Sequence, residues 1–394
     1  MKKIYMDYAA TTPTHPEVVK EMLPFFNEVY GNPSSIYQLA QRAKGAVEEA
    51  REKVARLINA EAEEIIFTSG GTEADNMAIK GIAFANKKRG NQIITSKIEH
   101  HAVLNTCKWL EKKGFKVTYI SVDKYGMIDL DELKKSLTDK TILISIMHAN
   151  NEVGTIEPIS EIARIAKEKG IYFHTDAVQT VGKITINVKE SGIDLFSLSG
   201  HKLYGPKGVG ALYIRKGIKI SPLLHGGHHE KNKRAGTENV PGIVGLGKAC
   251  EIAVKEMATE GKRLKALRDR LYKGLSEQID EIILNGHPVN RLPGNLNICV
   301  QYVEGESMLL NLDLEGICAS SGSACTSGSL EPSHVLLAMG IPPEIAHGSL
   351  RFSLGRDTTK EDIDRIIEVL PPIVEKLRAM SPFGKNSKSK EYRE

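Results

Sequence analysis

The stretch from about residue 60 to 215 constrains the fold most, because short apolar runs alternate there with helical patterns. Strands separated by helices need crossover connections, which produce a mostly parallel sheet with helices on both faces. The predicted strands span residues 65–67, 92–94, 116–120, 142–146, 171–173 and 194–196. We therefore expect a large α/β domain that binds its ligand at the carboxyl ends of its strands.

The pattern changes after Pro241, where a long helical stretch continues to about Gln278. Strand patterns follow at residues 281–284, 296–300 and 350–353, and further helical patterns lie between them. This predicts a smaller α+β domain, with the long helix as connector. We expect the large domain to span residues 15–255, the small domain to combine residues 1–14 with 256–383, and residues 384–394 to form a disordered tail.

Composition excludes several classes of protein. The chain has 394 residues, of which 41% are apolar, and no apolar run approaches the roughly 18 residues that a membrane helix needs. Its net charge is +4, with no basic stripe of the kind that binds nucleic acid. Asp7 interrupts the N-terminus before a signal-peptide core develops, and five cysteines argue against a disulfide framework. We expect a cytoplasmic protein that contacts neither membrane nor nucleic acid.

A glycine pair follows the first predicted strand. Ser69, Gly70, Gly71 and Thr72 precede a helical pattern. Glycines let the backbone approach an anion closely, and the N–H groups at a helix start favour phosphate. A tight turn with Thr72 as the helix N-cap explains the same residues equally well.

Two later strands also end in residues that suit a cofactor. Asp176 could bond the protonated pyridine nitrogen of pyridoxal phosphate, although capping the next helix explains this residue alone more simply. Lys202 follows Ser199, Gly200 and His201, which suits an amine that forms a Schiff base while hydroxyl and imidazole donors hold a phosphate. An isolated lysine is nearly always a surface charge, but the order of phosphate loop, Asp176 and Lys202 is far more specific.

These residues resemble the cysteine desulfurases of the NifS/IscS type, within the class-V aminotransferase group of fold type I pyridoxal phosphate enzymes. The resemblance extends from residues 7–12 and 31–35 to residues 349–356. It is strongest at residues 320–334, which resemble the long cysteine loop of the NifS/IscS branch, here on the small domain. That loop contains Cys325.

The resemblance implies a role for each matching residue. Lys202, Cys325 and His100 are the implied catalytic residues, and Asn32 and Arg351 would hold the substrate carboxylate, since a guanidinium matches it bidentately. Thr237 would reach the cofactor phosphate of a partner subunit, which implies a homodimer. The residues implied to bind pyridoxal phosphate are Gly71, Thr72, His100, Asn151, Asp176, Gln179, Ser199, Gly200, His201, Lys202 and Thr237.

The implied activity converts L-cysteine to L-alanine and leaves a persulfide on Cys325, for delivery to an iron–sulfur scaffold or another sulfur-acceptor protein. Either His100 or the amine of the substrate could deprotonate the thiol. Supply of sulfur for tRNA thiolation, selenocysteine lyase activity and an inactive sulfur-transfer scaffold stay open as alternatives. We expect no intrinsic metal, although Cys325 could act as a transient iron–sulfur ligand.

The remaining histidines and cysteines point to less specialised roles. His225, His228 and His229 lack a second ligand cluster and predict a surface loop rather than a metal site. This loop also departs from the family pattern, with His228 where a third glycine is common and Ala235 where serine is. Apolar or helical surroundings predict buried thiols at four positions, namely Cys107, Cys250, Cys299 and Cys318.

Overall fold

A computed structural model of the protein describes residues 3–321 and 332–380. The strands are β1 (Ile4–Tyr5), β2 (Ile65–Thr68), β3 (Gln92–Ser96), β4 (Lys116–Ile120), β5 (Thr141–Ser145), β6 (Tyr172–Asp176), β7 (Leu195–Ser199), β8 (Gly210–Ile214), β9 (Ile282–Asn285), β10 (Asn295–Val300), β11 (Ile317–Cys318) and β12 (Ser349–Ser353). The helices are α1 (Pro16–Met22), α2 (Pro24–Asn27), α3 (Gln38–Ile58), α4 (Gly71–Ala85), α5 (His101–Glu111), α6 (Leu130–Ser136), α7 (Ile159–Glu168), α8 (Val240–Ser276), α9 (Gly305–Leu314), α10 (His334–Ala338), α11 (Pro343–Ala346) and α12 (Lys360–Met380).

A seven-stranded sheet, in the order β2-β8-β7-β6-β5-β3-β4, forms the larger part of the protein. The pairs β3·β4, β3·β5, β5·β6 and β6·β7 are parallel, whereas β8 is antiparallel to both of its neighbours. The predicted α/β class with a mostly parallel sheet is therefore confirmed, and all six predicted strands are present. Strand β8 was missed because no helical crossover separates it from β7.

Burial patterns explain why these segments form these elements. Strand β5 is buried along its whole length, as expected for a parallel strand covered on both faces. Helix α7 instead buries one face, with Ile159, Ile162 and Ile165 at helical spacing. The chain turns at Gly170, whose φ of +64° lies in the left-handed region that favours glycine. Helix α7 thus ends at Glu168, two residues before this glycine.

The second part of the protein contains the antiparallel sheet β12-β10-β9 and the parallel pair β1-β11. Helix α8 has 37 residues and joins two apolar cores. Its first half places Leu246 and Cys250 in the core beside the large sheet, while Leu271 and Leu275 lie in a second core with Phe352. The long connecting helix is as predicted, whereas the residue boundaries of the domains stay a prediction.

Three of the four cysteines predicted to be buried are so, and burial raises the pKa of Cys107 and Cys250 to about 12 and that of Cys299 to about 11. The prediction was wrong for Cys318, which is only half-buried because β11 pairs with a single neighbour, β1.

The histidine loop lies at the surface as predicted, with His225 and His228 exposed. Over residues 3–321 and 332–380, no three His, Cys, Asp or Glu side chains are grouped as a metal site would need. Within the same ranges, each helix is too short or too polar to cross a membrane. Cys325, Phe383 and the predicted tail at 384–394 lie outside the described residues.

Candidate active site

The candidate site lies where strands β5, β6 and β7 end. These strands are adjacent and parallel, so their carboxyl ends meet at one edge of the sheet. Asp176 is the last residue of β6, and Ser199 is the last residue of β7. His201 and Lys202 follow in a short 3-10 turn that begins at Gly200. The residues predicted from separate strand ends are therefore brought to one place.

A cavity of about 390 Å³ opens at the start of α4 and is lined by Gly70, Gly71, Thr72, Ser199 and His201, among others. Gly70, with φ of +152°, is the N-cap of α4, and Thr72 lies inside the first turn. The alternative interpretation of Thr72 as the N-cap is therefore wrong. The N–H groups of a first helical turn have no partner within the helix, so they are available to an anion in this cavity.

Close packing behind the cavity leaves no room for a side chain at Gly71 or Gly210. A Cβ on Gly71 would lie 2.7 Å from Cγ2 of Val178, and a Cβ on Gly210 would lie 2.5 Å from the carbonyl oxygen of Leu198. Both distances are shorter than real Cβ contacts, and the second involves backbone that cannot rotate away. The helix start is thus pressed against the ends of the strands that carry Asp176 and Ser199.

Asp176 is buried, and one of its carboxylate oxygens accepts a hydrogen bond from the N–H of Val178 at 2.9 Å. The carboxylate thus caps a local turn, and the helix expected by the simpler interpretation is absent, because residues 178–183 form a turn and the next regular element is β7. Burial raises the pKa of Asp176, while the charges of His100 and Lys202 lower it. A positive group beside the carboxylate would therefore favour its ionised form.

Behind Asp176 lies a second buried carboxylate, Asp75, 3.6 Å from Nε2 of His174. The two ring nitrogens of His174 contact the hydroxyls of Ser145 and Ser197 at 2.8 and 2.9 Å. Burial lowers the pKa of His174 to about 3, so the ring is neutral at physiological pH. Burial, and then the charge of Asp176, raise the pKa of Asp75, so ionisation at Asp176 favours a protonated Asp75.

The N-terminal segment 7–12 crosses the site and binds several of its residues. Lys202 donates from Nζ to the carbonyl oxygens of Ala9 and Ala10 at 2.6 and 2.7 Å. Nδ1 of His201 lies 3.1 Å from Oγ1 of Thr11. Gln179 donates from Nε2 to the carbonyl oxygen of Ala9 at 2.9 Å. The segment therefore holds three of the predicted site residues in one network.

His100 ends the loop after β3 and caps helix α5, because its Nδ1 accepts a hydrogen bond from the N–H of Ala102 at 3.1 Å. An accepting Nδ1 leaves Nε2 as the protonated nitrogen of the neutral ring. His101, next in the chain, stacks on His334 with 4.9 Å between ring centroids. The half-buried His100 ring is thus oriented by its own helix start.

Arg351 lies on β12 and is almost fully buried, with 3% of its side chain exposed. Its guanidinium donates to the carbonyl oxygen of Asn151 at 3.0 Å and to Oδ1 of Asp7 at 2.7 Å. Its Nε has no hydrogen-bond partner among the described residues. The backbone of Arg351 also pairs with Ser320, which directly precedes the segment containing Cys325. The position of Cys325 itself lies outside the described residues.

Two predicted residues lie apart from this cluster. Asn32 is exposed, and its Oδ1 accepts a local hydrogen bond from the N–H of Ser34 at 3.0 Å. Thr237 is also exposed and lines a neighbouring cavity together with Ser69 and Gly208. Their assignment to substrate and partner-subunit contacts stays a prediction.

The loop that carries Thr237 is attached by two ion pairs that sequence reasoning missed. Glu230 is buried and binds Arg51 bidentately, with both N–O distances at 2.8 Å. Arg234 contacts Glu73, in the first turn of α4, at 2.8 Å. The only sequence signal is charged residues beside a glycine-rich loop, which does not reveal partners more than 150 positions away.

Comparison with known proteins identifies the family of this chain. The sequence model described as Aminotransferase class-V matches residues 4–366. The chain belongs to the class-V aminotransferase family. Two relatives named Cysteine desulfurase IscS extend this assignment. The one from Methanosarcina thermophila is 62% identical over 392 residues, covering 100% of this chain and 96% of the relative, and the one from Dictyoglomus turgidum (strain DSM 6724 / Z-1310) is 61% identical over 382 residues, 97% of each.

A solved structure described as NIFS-LIKE PROTEIN superimposes with a TM-score of 0.90 at 42% identity, covering 95% of this chain and 100% of the other. The predicted membership in the NifS/IscS type is therefore confirmed. Class-V aminotransferases and cysteine desulfurases depend on pyridoxal phosphate. The donors present fit this cofactor, because helix N–H groups and hydroxyls suit its phosphate, a buried carboxylate suits its ring nitrogen and a lysine suits its aldehyde.

Proposed function

We propose that this protein is a pyridoxal phosphate-dependent cysteine desulfurase that converts L-cysteine to L-alanine. The observation that carries the proposal is the convergence of Asp176, Lys202 and the cavity at Gly70 and Gly71 at one sheet edge. Identity of about 60% to full-length relatives named as cysteine desulfurases supports the same reaction.

The bound cofactor supplies an electron sink at the substrate α carbon. Asp176 would hold the ring nitrogen of the cofactor and favour its protonated form through a negative charge. The Nζ of Lys202 takes the substrate α proton, and the first turn of α4 would hold the cofactor phosphate through Gly71 and Thr72. His100 would contact the ring. In this arrangement each group acts from a strand end or helix start, which holds it rigidly.

Arg351 binds the carboxylate of the substrate, because a guanidinium can donate two parallel hydrogen bonds to a carboxylate. The thiolate of Cys325 then attacks the substrate sulfur. A sulfur–sulfur bond forms, the substrate carbon–sulfur bond breaks with its electron pair on carbon, and a proton at that carbon completes L-alanine. Cysteine and the thiol of Cys325 thus yield alanine and a persulfide, with no external oxidant.

The protein acts as a homodimer in this proposal, because Thr237 is exposed on an anchored loop and suits the phosphate site of a partner subunit. The persulfide is passed to a sulfur acceptor, such as an iron–sulfur scaffold protein. A cytoplasmic location is part of the same proposal. It is supported by the described cysteines, which are free thiols as expected in a reducing compartment.

The test uses purified protein loaded with pyridoxal phosphate and L-cysteine as substrate. We expect alanine and sulfide in equal amounts in the presence of a reductant. Lys202→Ala should abolish both the turnover and the visible absorption band of the wild-type holoprotein. Cys325→Ser should still bind cysteine and change that band, yet form no sulfide.

Cys318→Ser is the matched control, since Cys318 is a half-buried thiol on the same part of the chain and should be dispensable. Full turnover by Cys325→Ser would contradict the role of that thiol. Turnover that strongly favours selenocysteine over cysteine would instead support a lyase. Transfer of ³⁵S from the labelled persulfide to proteins of a cell extract identifies the acceptor.

A further inference from the structure

Both ends of the Gln179 side-chain amide have a partner. Its Nε2 donates to the carbonyl oxygen of Ala9 at 2.9 Å, and its Oε1 accepts from Nζ of Lys183 at 3.2 Å. A carbonyl oxygen only accepts and an ammonium only donates, so the chemistry of the two partners determines which way the amide faces. The nitrogen end of Gln179 is therefore the end beside Lys202, whose Nζ donates to the same Ala9 oxygen.

Lys183 reaches Gln179 because of the turn that follows β6. The two residues are four positions apart, and Gly182, with φ of +70°, precedes Lys183. The lysine lines a cavity of about 80 Å³ together with Tyr204, Lys202 and other residues.

The charge of Lys183 carries an electrostatic cost. Burial, and then the charges of Lys202 and Arg351, lower its pKa to about 7. A lysine with no role would be expected to turn toward solvent, where it keeps its hydration. In either protonation state Lys183 retains an N–H for Gln179.

We propose that Lys183 is a positioning residue that fixes Gln179 with its amide nitrogen toward the cofactor. The inference rests on the proposed function and on the family resemblance, which implies that Gln179 bonds the phenolic oxygen of pyridoxal phosphate. A reversed amide would place Oε1 against that oxygen, and two acceptors repel each other. The carbonyl oxygen of Ala9 holds only the nitrogen end of the amide, whereas Lys183 holds the oxygen end and so opposes its reversal.

The test measures how tightly pyridoxal phosphate binds, and how its visible absorption titrates with pH, in wild type, Lys183→Met and Lys183→Leu. Removal of the Nζ donor of Lys183 should weaken cofactor binding about tenfold, which is the effect expected for one hydrogen bond from a charged donor. It should also shift the pH midpoint of the visible band upward, because the phenolic oxygen loses an oriented donor. Lys80→Met is the matched control, since Lys80 is likewise a partly buried lysine with a lowered pKa, but packs on Trp109.

A double-mutant cycle separates this role from a general structural one. In a Gln179→Ala background, Lys183→Met should have no further effect on either readout. Unchanged binding and titration in both Lys183 variants would overturn the proposal, as would effects that add fully to those of Gln179→Ala. If Gln179→Ala alone changed neither cofactor binding nor the pH midpoint, Gln179 would not contact the cofactor, and the proposal would be overturned. The proposed function would be unaffected by that result, because alanine formation by wild type tests it separately. Thermal unfolding of each variant confirms that it is folded, and Lys183→Leu, which also lacks a donor, serves if Lys183→Met is not.

Discussion

Lys202 and Gln179 donate to the same acceptor, the carbonyl oxygen of Ala9, at 2.6 and 2.9 Å. The acceptor belongs to the N-terminal segment, which also provides Asp7 to Arg351. One short piece of chain thus joins the ends of the large sheet to strand β12. The site is completed by residues that are distant in sequence, and its stability depends on contacts that join the two parts of the protein.

Arg351→Lys should raise the KM for cysteine by about tenfold or more and change kcat less. A lysine offers a point charge in place of the planar fork, so it cannot bind Asp7 and a substrate carboxylate with matched geometry. Steady-state kinetics of alanine formation measure both parameters. Arg365→Lys, at a half-exposed ion pair with Glu315, is the control. An unchanged KM in Arg351→Lys would show that the carboxylate binds elsewhere.

Glu230→Gln should lower the free energy of unfolding by about 3–5 kcal/mol, because it leaves the buried guanidinium of Arg51 without a counter-charge. The double variant Arg51→Met/Glu230→Leu should cost less than the sum of the single changes. Denaturant unfolding of the apoprotein provides the values. Glu168→Gln breaks an exposed pair with Arg164 and should cost less than about 1 kcal/mol. Equal costs for the two Glu→Gln changes would refute the argument from burial.

Gly210→Ala should destabilise the protein and weaken binding of inorganic phosphate at the start of α4. The added methyl group would meet the carbonyl oxygen of Leu198 at 2.5 Å and Cα of Gly70 at 2.8 Å, so backbone has to move. Gly45→Ala is the contrasting change, because Gly45 lies inside α3 and, apart from the backbone of its own helix, no atom lies within 4 Å of the new Cβ. There alanine should stabilise by roughly 0.5–1 kcal/mol. Thermal unfolding and phosphate titration report the two effects.

Stability should fall as pH rises toward 8, and Glu157 is one cause. Burial raises its pKa from 4.5 to about 8. Between these values the folded protein holds a proton that the unfolded chain has lost, so stability declines by up to about 1.4 kcal/mol per pH unit through this group and levels off above pH 8. Glu157→Gln should make the decline shallower. Unfolding in urea from pH 5 to 8 tests this, with Glu168→Gln expected to follow wild type.

The sequence predicted the α/β class, six strands of the large sheet and the long helix. These could be predicted because burial on one or both faces produces a characteristic pattern of apolar residues along each element. Asp176 and Lys202 became candidates because ligand sites of such sheets lie just after strand ends, and their roles stay a prediction. Strand β8 was missed because its short connection from β7 gives no crossover signal. The half-burial of Cys318 was missed because apolar neighbours in the sequence do not show whether a strand lies at the edge of its sheet.

The role predicted for Cys325 comes from the match of residues 320–334 to a family. The structure adds nothing to it, because the position of Cys325 lies outside the described residues. The contact of Lys183 with Gln179 shows the opposite case. The two residues are four positions apart in the sequence. Their spacing alone does not predict that Nζ of Lys183 donates a hydrogen bond to Oε1 of Gln179.

The sequence by itself determined six strands of the large sheet, the long helix, their order and the residue types of the candidate site, since these depend on local periodicity and on residue types next to strand ends. Only the tertiary structure decided that Asp7 binds Arg351, that Arg51 pairs with Glu230 and that Ala9 serves both Lys202 and Gln179. Asp7 and Arg351 lie 344 positions apart, and Arg51 and Glu230 lie 179 apart. Hydrogen bonds and ion pairs at such separations follow from how the elements pack, and local sequence carries no record of that packing.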